Sequence, residues 1–82
     1  MIDGDVFPGA MIKVMGTAQV YDDKSGRYLQ VIVAIITAWS KKRYNGDTLE
    51  MTAVIADGSS AMISVDVQSV RKHWRLLINS EV

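Results

Sequence analysis

Cysteine is absent from the 82 residues. That excludes a disulfide frame, a thiol nucleophile and a thiolate metal knuckle. The single histidine, His73, excludes a multi-histidine metal site built within one chain. The only proline is Pro8. No charge of either sign is in excess: nine Lys and Arg balance nine Asp and Glu. A strongly basic nucleic-acid arm and an acidic tail are therefore excluded. The longest unbroken apolar run, Val31 to Ile36, is far short of the roughly 20 residues of a membrane helix. Met1-Ile2-Asp3-Gly4-Asp5 is acidic where a secretory leader is basic. The expectation is one small cytoplasmic domain with no membrane association. A hydrophobic content of 49% argues against disorder.

Recognisable reaction chemistry is equally scarce. The glycines at 4, 9, 16, 26, 46 and 58 never reach the spacing of a phosphate-binding loop. Asp22 and Asp23 are adjacent in a turn cluster, beside Lys24, where neither carboxyl gains a dry environment. Asp3-Gly4-Asp5 begins like a calcium loop, but Phe7, Pro8 and Gly9 follow where further oxygen ligands belong. His73 has Arg71, Lys72 and Trp74 as neighbours and no acid within six residues. A Ser–His–Asp site would need both partners from elsewhere in the fold. No catalytic residue, cofactor site or metal site is expected.

What the chain does have is strand-forming sequence. Residues 1–9 read as a lead-in loop, and Ala10 to Met15 as a first strand. Gly16 to Arg27 is polar and centres on the turn cluster Asp22 to Gly26. Tyr28 to Ser40 is rich in Val, Ile, Thr and Trp, the composition of a long strand. Thr48 to Ala56 and Ser59 to Asp66 read as two more. Asn45-Gly46 and Asp57-Gly58 are hairpin signals.

Each of those turns admits two registers, one residue apart, and a one-residue slip moves a strand's apolar set to the other face. Two-residue loops mix apolar and polar residues on both faces. Three-residue loops, Tyr44-Asn45-Gly46 and Ala56-Asp57-Gly58, sort them. Trp39 then faces Met51, Thr37 faces Ala53 and Ile35 faces Ile55; in the second hairpin Ala53 faces Ala61, Met51 faces Ile63 and Leu49 faces Val65. Burying a Leu, Ile, Val or Met is worth about 1.5–3 kcal/mol, against about 0.2–1 kcal/mol for the exposed Lys41–Glu50 pair that the two-residue loop offers. The bulged register is therefore expected, with an Arg43–Asp47 cross-strand pair. It points Leu29, Val31, Val33, Ile35, Trp39, Leu49, Met51, Ile55, Ile63 and Val65 inward.

This register leaves Ile32, Ala34, Ile36, Ala38, Val54 and Met62 on the other face, more apolar surface than a solvated sheet face carries. Either a bent strand or the C-terminal segment covers them, or they form a self-association face. After Asp66, Val67, Val70, Trp74, Leu77 and Ile78 recur at helical spacing, which predicts an amphipathic helix over 67–78 with Asp66 as its cap. The alternative is a helical turn over 67–72 followed by a closing strand, Trp74 to Ile78.

The expected fold is mainly β: a small antiparallel barrel or highly curved sheet of four or five strands with a short C-terminal helix. That order of elements resembles the SH3-like small barrels, with an OB-like sheet as the variant. In length and outline the chain is also similar to the plasmid-borne small-barrel dihydrofolate reductases. Its late strand, however, reads Met62-Ile63-Ser64-Val65 where that family carries a Gln-Ile-Tyr run, so no residue is carried over. Beside an enzyme whose site exists only in an oligomer, as that outline implies, two function classes remain. One is an interaction module acting through self-association and a protein partner, and not an enzyme on its own. The other is a nucleic-acid-binding module. Its candidate contacts are Lys41, Lys42, Arg43 and Tyr44 in one basic-aromatic cluster and Arg71, Lys72 and Arg75 in a second, around Trp74.

Overall fold

The computed structural model describes residues 7–16, 19–22, 25–41 and 46–78. Seven strands and one short helix follow in the order β1 (Met11–Val14), β2 (Val20–Asp22), β3 (Arg27–Leu29), β4 (Val31–Ser40), β5 (Thr48–Ile55), β6 (Ser60–Asp66), α1 (Val67–His73) and β7 (Trp74–Ile78). Five strands form one antiparallel sheet in the order β6-β5-β4-β1-β7, and β2 and β3 form a separate hairpin. The fold is mainly β, as composition predicts. Among the described residues the five-stranded sheet does not close into a barrel, and β6 and β7 are its edges.

The polar stretch between residues 16 and 27 contains β2, which the sequence reading takes as turn. Its far end is the expected turn cluster. Asp22 is buried and accepts a 2.8 Å hydrogen bond from the Ser25 hydroxyl, while the Gly26 N–H reaches the Asp22 carbonyl at 2.8 Å. Gly26 has φ +70°, the left-handed conformation that closes this turn and that favours glycine. Across the hairpin, Tyr21 and Tyr28 meet edge to face with ring centroids 5.2 Å apart.

The β5–β6 hairpin takes the predicted register: Ala53 pairs with Ala61, Met51 with Ile63 and Leu49 with Val65. Its loop is Ala56-Asp57-Gly58. Gly58, at φ +91°, donates its N–H to the Ile55 carbonyl, and the Ile55 N–H returns to Ser59. Strand β5 alternates cleanly, with Leu49, Met51, Ala53 and Ile55 buried and Glu50, Thr52 and Val54 exposed.

The β4–β5 register differs from the prediction. Trp39 pairs with Leu49, Ile36 with Met51, Ala34 with Ala53 and Val31 with Ile55. The ladder slips twice, between Val31 and Val33 and between Ile36 and Ala38, leaving Ile32 and Thr37 as the extra residues of two β-bulges. The Thr37 hydroxyl donates to the Glu50 carbonyl at 3.1 Å. Inward positions thus run Val31, Ala34, Ile36, Trp39. Ala34 and Ile36 are each only 1% exposed, so their predicted outward orientation is corrected; Ile35, predicted inward, is 44% exposed. The physical reason is that Val31 to Ile36 is apolar at every position. Alternation cannot choose a face there, and pairing with both β1 and β5 does.

The core is built from β4, β5, β1 and the C-terminal segment. Ile12, Ile36, Leu49, Met51 and Val70 are its largest fully buried side chains, each worth about 1.5–3 kcal/mol. The segment after Asp66 takes the second of its two predicted forms. A helix of seven residues buries Val67 and Val70, then Trp74 turns extended at φ −119°, ψ 158° and opens β7. Arg71, Lys72 and His73 occupy the last helical turn, where the helix dipole favours cations. Asp66 sits at the N-cap without a side-chain capping bond; the Val67 N–H goes instead to the Asp47 carbonyl at 3.0 Å. Asp47 also accepts the Trp39 indole N–H at 2.6 Å, tying the β4–β5 connection to the start of the helix. The predicted Arg43–Asp47 pair involves a residue outside the described ones.

Candidate interaction surface

The strand registers lay out the outer face of the sheet. One row runs Met62, Thr52, Ile35, Met11 across β6, β5, β4 and β1. The row beside it holds Ser60, Val54 and Val33. Met62 is 61% exposed, Ile32 50% and Val54 41%. With Ile35 they form an apolar stripe bordered by half-buried Met11, Val33 and Ala38. Neighbouring strands lie about 4.8 Å apart, so these side chains share one patch of the face, interrupted by Thr52 between Met62 and Ile35.

Of the six residues predicted for a self-association face, Ile32, Val54 and Met62 are exposed on it, Ala38 is half-buried, and Ala34 and Ile36 belong to the core. Ile35, Val33 and Met11 take the lost places. Sequence patterning missed Ile35 and Val33 because the bulge at Thr37 flips the parity of β4 and the one at Ile32 restores it. No local signal in an all-apolar run marks a bulge.

Charge on this face is divided. Glu50 is exposed on β5, opposite Ala38 and Ser64. Lys13 on β1 and Arg75 on β7 stand directly opposite each other. Two like charges in that position disfavour the pairing. A groove of about 490 Å³ lies over them, lined also by Val14, Met15 and Gly16.

Of the two basic-aromatic clusters, Lys41 of the first and all of the second lie among the described residues. Lys41 is exposed at the end of β4, and Lys42, Arg43 and Tyr44 lie outside the described residues. Arg71 lines a groove with Trp39, Gly46 and Asp47, whereas Arg75 lines the one beside Lys13. Lys72 is exposed between them in sequence.

A third groove, about 310 Å³, brings Asp66, Ser69 and His73 together with Tyr21 and Trp74. The residue types of a nucleophilic triad therefore do share one groove. Among the described hydrogen bonds none joins Ser69 to His73 or His73 to Asp66, so the activating contacts such a site depends on are not made. Among the described residues no helix is long and apolar enough to cross a membrane. No known protein family, characterised protein or solved structure matches this chain.

Proposed function

We propose that this chain is a small β interaction module whose outer sheet face is its working surface, used for self-association. The order β6-β5-β4-β1-β7, with a hairpin ahead of β4 and a helical turn ahead of β7, supports reading it as a strongly bent SH3-like sheet. One observation carries the functional reading. Met62, Ile32, Ile35 and Val54 are each more than two-fifths exposed and share one face across three strands, with Thr52 between Met62 and Ile35. Burial of such a stripe is worth about 25 cal/mol per Å² of apolar surface, and an interface supplies that burial where the monomer does not. A protein partner on the same face fits the same chemistry.

Light scattering coupled to size exclusion tests this. The wild-type chain is expected to associate at micromolar concentration, and Met62→Ser to shift it to monomer with its unfolding midpoint unchanged when both are measured at concentrations too low for association. A wild-type chain that stays monomeric at hundreds of micromolar would sink the reading. The competing nucleic-acid reading draws on the Lys13–Arg75 pair and the groove over it. It requires binding of single-stranded oligonucleotide at low salt, where the electrostatic contribution is largest.

A further inference from the structure

The outer face is not only apolar but self-complementary in charge, and from this we infer how two copies meet. The inference rests on the self-association reading above and adds the orientation. Glu50 lies on β5, one strand to one side of β4, in the row of Ala38. Lys13 lies on β1, one strand to the other side, two residues beyond Met11, which pairs with Ile35. Arg75 is its neighbour on β7. Seen face on, the acid and the two bases therefore occupy opposite ends of a diagonal centred on Ile35.

A two-fold axis in the plane between two such faces, passing over Ile35 and perpendicular to that diagonal, exchanges its ends. Glu50 of each copy then sits over Lys13 and Arg75 of the other. The contact is made twice, as an isologous interface requires. Ile35 packs near its own symmetry mate, and Met62 comes down beside Val54 of the second copy. With strands about 4.8 Å apart and rising about 3.4 Å per residue, the strands of the two sheets cross at roughly a right angle, one of the two ways sheets pack face to face. The arrangement also accounts for Lys13 opposite Arg75. Within one copy that pair is repulsive, and a carboxylate from the second copy neutralises it.

Charge reversal in trans is the decisive experiment. Glu50→Lys and Arg75→Glu are made separately; both positions are exposed, and circular dichroism with thermal unfolding checks the fold of each. Arg75→Glu sets an opposite charge against Lys13, so the monomer should unfold no earlier than wild type. Each variant alone should dimerise more weakly than wild type by sedimentation, Glu50→Lys about tenfold because both contacts become like-charged, and Arg75→Glu by a smaller factor of about three to ten because Glu50 loses one cation and gains a carboxylate neighbour while Lys13 stays. Mixed one to one, they should recover affinity to within about threefold of wild type, since reversed position 50 then meets reversed position 75 and the other contact is native. Raised ionic strength should weaken the wild-type dimer.

A wild-type dimer that neither reversal weakens, or a mixture no tighter than its parts, overturns the orientation while leaving self-association standing. A wild-type monomer overturns both.

Discussion

The two hairpins that share β5 behave differently. Along β5–β6 the partners keep one register from Thr48–Asp66 to Val54–Ser60. Along β4–β5 the register slips twice in ten residues. Strand β6 is an edge, seven residues long, joined to β5 by a three-residue loop with glycine at positive φ. Strand β4 pairs on both sides, with β5 and with β1. An edge strand after a tight turn has one register to satisfy. A strand paired on both sides must match two neighbours and follow the sheet's coil, and bulges supply the extra bend. Turn chemistry therefore fixes register locally, and its authority fades as a strand acquires partners from elsewhere in the chain.

The sharpest way to break this comparison is to exchange the roles of adjacent isoleucines in β4. Ile36→Ala should cost about 2–5 kcal/mol, and Ile35→Ala less than about 0.5 kcal/mol when unfolding is measured at concentrations too low for association. Strict alternation carried down from the hairpin predicts the opposite ranking, so a larger loss at Ile35 would restore the unbulged strand.

A smaller effect is expected at the turn that holds β6 in place. Gly58→Ala meets no atom within 4 Å of the added Cβ, and its φ of +91° is the whole obstacle. The left-handed conformation costs about 1–2 kcal/mol there, read as a lower denaturant midpoint at unchanged slope. A neutral result would mean that the loop has another conformation of similar energy.

The second bulge is held in part by the Thr37 hydroxyl on the Glu50 carbonyl. Thr37→Val keeps the shape and removes the donor. A loss of about 0.5–1.5 kcal/mol is expected, with amide exchange speeding up along β4–β5 and not along β5–β6. Equal acceleration in both hairpins would show that the bulge is not a separate weak point.

The smallest effect belongs to Asp57. The Ser59 hydroxyl and then the Ser59 N–H donate to its carboxylate, Arg27 adds attraction, and its pKa lies below the ordinary aspartate value. A depressed folded pKa gives stability that is fully present above the unfolded value of about 3.9 and is lost as pH falls through the folded one. Asp57→Asn should therefore be slightly less stable than wild type at neutral pH, and the difference should close in acid. Because the side chain is exposed, solvent screening keeps the effect small. A gap that persists undiminished below the folded pKa would assign the loss to the turn's hydrogen bonds and not to the charge.

The parts of the site that could be read in advance are those with contrast in the sequence. Val54 and Met62 follow from β5 and β6, where apolar and polar residues alternate around Glu50, Thr52 and Ser64. Ile35 could not be read, because it lies in the run Val31 to Ile36, which is apolar at every position. Neither could the juxtaposition of Lys13 and Arg75, which lie 62 positions apart in sequence and meet only because β7 pairs with β1.

The amino-acid order alone determined a cysteine-free, mainly β domain, the Ala56-Asp57-Gly58 turn, the inward set of β5 and the pairing of β5 with β6. These follow from backbone preference and burial acting over a few residues. Tertiary structure decided which face each β4 side chain joins, that the helix ends at His73 so that Trp74 can open a strand, and where Glu50 stands relative to Lys13 and Arg75. Those depend on pairings between distant segments, and a run of uniformly apolar residues carries no local preference that could announce them.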